Sequence, residues 1–405
     1  MKVKNKIKLF APALIFLSAC QNKEEKAPYP ELNALVESVR LKYVPDRRDD
    51  VYDIEVVEHD GRPVIKGVTT VEEAKTDLLE QIRENNPAAI DSIGLLPDET
   101  AGEKIYGVVN VSVADVRMGA SYAEEMGTQL LLGTPVQVLQ HDDWWRIKSP
   151  EGYVAWISGS SFVRMTKDEF NDWITAKKII FTDDYGFGYE NADEKKRVSD
   201  LVFGNIMKLE GDSERFYKVS YPDGRVAYVL KSRSRPYGEW LASLRLTEES
   251  ILEKALSLKG IPYTWGGTSV KGMDCSGFTK TVMLMHGIIL ARDASQQAKT
   301  GLPVDISNGY DNLRPGDLMF FGKKAQDGKG ERIRHVAIYK GDKEFIHASG
   351  YIKINSLDST KANYDELNTR EFVRASRIIG AVDTKGIWCI NNNPLYKEQK
   401  QEENL

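Results

Sequence analysis

A single cysteine framed by glycines constrains this chain more than any other feature. Tyr263 to Phe278 reads YTWGGTSVKGMDCSGF. Gly266, Gly267 and Gly272 interrupt any regular element before Asp274. From Cys275 onward Phe278, Val282 and Met285 recur at helical spacing until Gly287 ends the run. The spacing therefore predicts a helix that begins at the cysteine. In a first helical turn, unpaired N–H groups and the dipole favour a thiolate, so the thiol is expected to ionise below its usual value of about 8.5. A buried, inert core cysteine is the competing reading of one such residue taken alone.

A thiolate needs a proton acceptor, and the chain has five histidines. His335 and His347 fall in a segment that reads as a hairpin, RHVAIY and EFIHA flanking Lys340-Gly341-Asp342-Lys343. With a three-residue loop, Lys340 to Asp342, the pairing sums set His335 directly opposite His347 on one face. A two-residue loop would separate them. His286, at a helix end, and His59 and His141, in polar turns, read as ordinary structural histidines. Zinc is disfavoured, because no close-set ligand pair such as CxxC or HExxH is present.

The motifs PYTWGG, DCSGF, LRPGDLMFF, RHVAIY and FIHAS, in this order over roughly 248–382, resemble the NlpC-type peptidoglycan cysteine peptidases. The resemblance implies a papain-like α+β domain with Cys275 as nucleophile, His335 as general base and acid, and His347 orienting the His335 ring. It also implies that Tyr263 places its hydroxyl near the thiol and the developing oxyanion.

The chain opens with Lys2, Lys4, Lys6 and Lys8, then an apolar run from Leu9 to Leu17 that is too short to span a bilayer. Residues 1–19 read as a secretory signal peptide. Leu17-Ser18-Ala19-Cys20 resembles a bacterial lipoprotein cleavage box, which implies a lipidated Cys20, a polar tether over 20–30 and an exported protein held on a bacterial membrane. Cys275 and Cys389 are the remaining cysteines, so the fold is not expected to rely on disulfides, and Cys389 has no evident partner. The formal charge of −5 becomes more negative once the lysine-rich leader is removed, which argues against a nucleic-acid partner.

At 405 residues, 41% hydrophobic and 28% charged, the chain is of ordinary globular composition and long enough for several modules. Residues 31–100 read as a small α+β unit. It comprises a helix over 32–43, a hairpin around Asp60-Gly61, a helix over 70–85 capped by Thr69 or Thr70, and a strand near 90–95. Its role defaults to scaffolding. Residues 104–166 change to short strands at 106–113, 134–140, 144–148 and 152–158, a barrel pattern. The sequence there resembles a bacterial SH3-like barrel, and 170–246 repeats the scheme more loosely, with 232–246 as linker into the peptidase domain over 247–383. Residues 384–405 read as a tail.

The layout resembles the γ-D-glutamyl-L-diamino acid endopeptidases. That likeness implies that Tyr153 and Glu125 of the first barrel border the substrate's N-terminal end. Asp274 with Glu125 would hold the ammonium of a free L-alanine, and Ser276 would add a hydrogen bond. Arg292-Asp293 resembles the segment across the cleft, with Ala294 where some relatives carry serine; a helix N-cap is the equally weighted reading of Asp293 or Ser295. The expected enzyme is a cysteine endopeptidase acting on peptidoglycan stem peptides, monomeric, through a thioester and without metal or organic cofactor. A general murein hydrolase, a wall-binding lipoprotein and an acyltransferase or amidase on the same fold are the rivals.

Overall fold

The computed structural model describes residues 29–400 apart from 327 and 329. The leader, Cys20 and most of the tether lie outside the described residues. At the start, α1 (Pro30–Tyr43) and α2 (Glu72–Asn85) pack on a sheet of β1 (Tyr52–His59), β2 (Arg62–Thr69) and β3 (Ile90–Leu95). β1 and β2 pair antiparallel, whereas β2 and β3 pair parallel across the α2 crossover. Leu78 and Ile82 of α2 and Ile65 of β2 are fully or nearly buried in one apolar cluster. The residue before α2 is Val71, which offers no side-chain cap. Thr69 instead accepts the Val71 N–H, and Thr70 accepts the Val51 N–H, so the expected cap is spent on joining β2 to the loop before β1.

The next seven strands are β4 (Tyr106–Val109), β5 (Val113–Arg117), β6 (Met126–Leu131), β7 (Pro135–Asp142), β8 (Trp144–Lys148), β9 (Val154–Ile157) and β10 (Phe162–Met165). They form one sheet in the order β10-β4-β7-β8-β9-β5-β6. The stretch expected as one strand over 106–113 is two, broken at Asn110, and β6 was not expected. Alternation is visible in β5, whose Ala114 and Val116 face the core while Val113, Asp115 and Arg117 stay partly exposed. After α3 (Lys167–Thr175), capped by Thr166, a second seven-stranded sheet runs from β11 (Lys178–Phe181) through β12 (Tyr185–Tyr189), β13 (Arg197–Val202), β14 (Ile206–Asp212), β15 (Phe216–Ser220) and β16 (Val226–Leu230) to β17 (Ser234–Pro236). The expected linker over 232–246 is structured. β17 pairs with β11, and α4 (Tyr237–Ser243) sets Trp240 into the core of the following domain.

That domain begins with α5 (Glu248–Ser257), then two short strands, β18 (Thr268–Ser269) and β19 (Gly272–Met273), and α6 (Cys275–Leu284). β20 (Ile288–Leu290), the single turn α7 (Ala294–Gln297) and β21 (Leu302–Val304) lead to β22 (Leu318–Lys323), β23 (Arg332–Gly341), β24 (Glu344–Ser349) and β25 (Tyr351–Ser356). α8 (Glu366–Arg370), β26 (Phe372–Arg377) and β27 (Ile387–Cys389) complete it. The six-stranded sheet has the order β21-β26-β22-β23-β24-β25, and α6 packs on it through the fully buried Phe278 and Val282. The expected tail is partly core. β27 pairs with β20, and Ile387 and Ile390 are buried because they cover that edge.

Candidate active site

Asp274 is the N-cap of α6; its Oδ1 accepts the Gly277 N–H at 2.7 Å, which sets Cys275 in the first turn. Glycine is required at two points here. A side chain at Gly277 would collide with the Gly267 carbonyl, and Gly266, at φ 75°, lies so close to the Met126 carbonyl of β6 that any Cβ would strike it. The nucleophile's loop is thereby pressed against the first barrel. Gln129 of β6 tightens the contact, its side chain and backbone carbonyls accepting the Thr268 N–H at 3.1 Å and hydroxyl at 2.9 Å.

Cys275 is buried. Its burial and the Asp274 carboxylate push the thiol up to about 12, against the smaller opposing pull of the Val336 N–H, Arg292 and the Ser276 N–H. The expectation of a thiol ionising near neutrality is therefore corrected: desolvation outweighs the helix terminus here. His335 shows the complementary behaviour. Burial, then His347 and Arg334, hold it well below the usual imidazole value. Both shifts favour the uncharged forms of the thiol and of the imidazole.

The hairpin differs from expectation in a way that preserves its result. β23 and β24 pair Ile338 with Ile346 and Tyr339 with Phe345, then shift so that Gly341 faces Glu344. The turn is two residues, Asp342 and Lys343, at φ 50° and 60°. Lys340 is the extra residue of a bulge, and it restores the parity that a two-residue turn would break. His335 is thus diagonal to His347, not directly opposite, and the rings share a face with Nε2 and Nδ1 2.8 Å apart.

Hydrogen bonding beyond this pair settles the tautomers. Asn355 Nδ2 donates to the Asn363 carbonyl at 2.9 Å, so its Oδ1 is the atom 3.0 Å from His347 Nε2. His347 therefore carries its proton on Nε2 and accepts at Nδ1 from His335 Nε2–H, leaving His335 Nδ1 bare. Burial keeps His347 neutral by lowering its pKa to about 4. Asn355 escaped the reading of the sequence because an asparagine in KINS carries no motif.

A cleft of about 950 Å³ holds Cys275 and His335 together with Tyr263, Asp274, Ser276, Asp293, Tyr153 and Glu125. Tyr263 is partly buried, and burial, Cys275 and Asp274 keep its hydroxyl protonated. Tyr153 is 4% exposed, its hydroxyl 3.6 Å from Met118 Sδ and kept protonated by burial and Asp293. Glu125 is exposed, and its Oε1 accepts the Trp265 indole N–H at 2.8 Å. Trp265, 62% exposed on the rim, had no assigned role.

Two expected substrate contacts are corrected. Arg292 is 1% exposed and does not line the cleft; its guanidinium donates to Asp274 Oδ2 at 2.6 Å and Oδ1 at 3.2 Å, to Ser276 Oγ at 2.9 Å and to Thr128 Oγ1 at 2.9 Å. Asp274 is filled in turn. Besides Arg292 and Gly277 it accepts from Gly266 N–H at 2.9 Å and from Ser276 Oγ at 3.2 Å, so it is a buried anchor with little capacity for an ammonium. Asp293 is the N-cap of α7 and also lines the cleft.

The comparisons with known proteins follow from these residues. The NlpC/P60 family profile matches residues 260–373, and that of the bacterial dipeptidyl-peptidase Sh3 domain matches residues 116–162. A Bacillus cereus protein named gamma-D-glutamyl-L-lysine dipeptidyl-peptidase is 30% identical over 262 residues, covering 62% of this chain and 76% of its own length. The chain belongs to the NlpC/P60 family. A Bacillus subtilis protein of the same name is 29% identical over 62% of this chain and 82% of its own. The crystal structure of an NlpC/P60 family protein from Bacillus cereus superposes with a TM-score of 0.58 at 25% identity, covering 67% of this chain and 99% of that one. An NlpC/P60 domain joined to a bacterial SH3-like domain is thus shown for this chain, with a second seven-stranded sheet between them.

Proposed function

We propose that this NlpC/P60 chain is a cysteine endopeptidase that cleaves the bond between γ-D-glutamate and the following L-diamino acid in peptidoglycan stem peptides, preferring those with a free N-terminal L-alanine. The carrying observation is one cleft lined by both a helix-start thiol and the imidazole of His335, whose Nε2 is held by His347 and, through it, Asn355. The names of the Bacillus relatives supply the bond class.

The reaction begins as the Cys275 thiol gives its proton to His335 Nδ1 while Sγ attacks the γ-carbonyl carbon. Moving the proton within the pair leaves the net charge of the cleft unchanged, which suits a site where isolated charges are disfavoured. Oxyanion charge is met by backbone N–H at the start of α6 and by the Tyr263 hydroxyl. The C–N bond breaks as His335 protonates the leaving amine, giving a thioester; His335 then takes a proton from water as its oxygen attacks the thioester carbonyl, and returns it to the Cys275 sulfur as the C–S bond breaks and the acid product leaves. Tyr153, Glu125 and Trp265 wall the acyl side. With Asp274 spent on Arg292, Glu125 is the more exposed of the cleft carboxylates assigned to a substrate ammonium. An N-terminal lipid at Cys20, holding the enzyme on a bacterial membrane, belongs to the same proposal.

Incubating wild type and Cys275→Ala with defined muropeptides, and reading products by mass, tests this. Cleavage between D-glutamate and the diamino acid by wild type alone is expected; wild-type levels of product from the alanine variant would refute it.

A further inference from the structure

The opening α+β module was expected only to scaffold, yet it reaches the active site. Between α1 and β1 its chain passes along the cleft, and the Arg48 carbonyl accepts the N–H of Val154, the residue after Tyr153, at 2.7 Å. Asp49 Oδ1 accepts from Gln296 Nε2 of α7 at 2.6 Å, and Asp50 pairs with Lys148 of β8 at 2.7 Å. The segment is thus stitched to the first barrel and to the peptidase domain at once. Arg48 itself lines the same cleft as Cys275.

Its guanidinium is held but not exhausted. Nε and Nη2 donate to Asp46 at 2.8 and 2.6 Å, Nη1 to Asp293 at 2.7 Å, and Nη2 also to Ser295 Oγ at 3.1 Å. Of the five N–H bonds that arginine carries, one on Nη1 then has no partner among the described residues. Ser295 Oγ accepts from Arg48 and donates to no described residue, so its O–H is also unspent, and Ser295 lines the cleft as well. The Arg48 side chain is 30% exposed, open enough to meet a ligand.

We propose that Arg48, with Ser295, is a specificity-determining contact that takes the free α-carboxylate of the substrate's γ-linked glutamate. This deepens the γ-glutamyl reading above and rests on it. A glutamate joined through its side chain presents an α-carboxylate that an ordinary peptide unit lacks. Two adjacent donors match its two oxygens. Asp46 and Asp293 offset the charge of Arg48, so recognition comes from directed hydrogen bonds on a preset fork, not from a diffuse positive field. The same segment, closing the cleft beside Tyr153, adds to the wall on the acyl side.

The test uses two synthetic peptides, L-Ala-γ-D-Glu-L-Lys and its counterpart with the α-carboxylate converted to carboxamide. The soluble protein is assayed as wild type, Arg48→Met, Arg48→Lys and Ser295→Ala. Wild type is expected to favour the carboxylate in kcat/KM by about ten- to a hundredfold, the loss of one charge-assisted hydrogen bond. Arg48→Met should bring that ratio close to one, with Arg48→Lys between them. Should Arg48→Met fail to fold, Ser295→Ala, which leaves the Asp46 pair intact, must still lower the ratio severalfold. A ratio unchanged in the variants, with both substrates losing activity equally, overturns the proposal and leaves Arg48 a structural stitch. Wild type that cleaves neither peptide overturns the γ-glutamyl reading instead, and this proposal with it.

Discussion

At Cys275 two local effects oppose one another, and their balance sets the chemistry. The helix start favours a thiolate, but burial of the thiol beside Asp274 costs more and shifts the balance toward the protonated form. Cys275→Ser therefore should not rescue turnover: its hydroxyl is harder still to deprotonate, and kcat is expected to fall by three orders of magnitude or more, about 4 kcal/mol of barrier. Single-turnover assays of the folded variant check this. The bare His335 Nδ1 depends on Asn355 through His347. Asn355→Ala leaves a buried His347 N–H without an acceptor, which costs about 1–3 kcal/mol. A drop in kcat of about ten- to a hundredfold with KM little changed is expected, whereas a change confined to KM would contradict the relay. The same groups govern stability against pH. His335 and His347 are depressed in the fold, so their contribution is complete above about pH 6.5 and is lost as pH falls toward 4, where the unfolded chain binds protons that the fold refuses. Cys275 is raised, so its contribution is complete below about pH 9 and is lost as pH climbs toward 12. Thermal melts in a buffer series should show Tm declining on both sides of this window, and replacing His347 with a neutral residue should flatten the acid limb.

Among the elements, the hairpin of β23 and β24 shows how a motif can be legible while its geometry is not. RHVAIY and FIHAS are recognisable because the residue types and their order carry the chemistry. The register turns on Lys340, whose bulge leaves no mark in composition, and on a two-residue turn built from Asp342 and Lys343 without the usual glycine. Because Lys340 is the unpaired residue, deleting it should close a regular hairpin on the same two-residue turn, with the Ile338–Ile346 and Tyr339–Phe345 pairs kept and both histidines still on one face, so turnover should persist; loss of turnover with the far-ultraviolet circular dichroism intact would show that the bulge itself is needed. The loop before α6 offers a second case. Its glycines read from sequence as helix breakers, but the reason for Gly266 is the Met126 carbonyl of a different module. Gly266→Ala is expected to destabilise by at least about 1–2 kcal/mol from its φ alone, with the clash added, and to loosen the first barrel from the peptidase domain. Differential scanning calorimetry would read the loss. Strands 106–113 and 126–131 were misread for the opposite reason: short barrel strands lack the length over which alternation becomes distinct.

For the whole molecule, three modules converge on one cleft, and only two of them announced it. The peptidase domain did so through its motifs and the first barrel through GYVAW. The opening module gave no sign, because Asp46, Arg48 and Asp49 sit in an aperiodic loop whose partners Asp293, Ser295 and Gln296 lie more than two hundred residues along the chain. Nor did β17, α4 and β27 read as core, since each is short and gains its burial from neighbours in other modules. This convergence predicts a cleft closed on its acyl side by Tyr153, Glu125, Trp265 and the Arg48 segment, suited to a peptide that ends there. The direct measurement is a competition in one tube between free L-Ala-γ-D-Glu-diamino acid peptides, carrying lysine or diaminopimelate, and the same stems still attached to muramic acid, with products followed by mass spectrometry. The account predicts cleavage after γ-D-glutamate, at least tenfold faster for the free peptides. Equal rates on free and glycan-linked stems, or cleavage at any other bond, would contradict it.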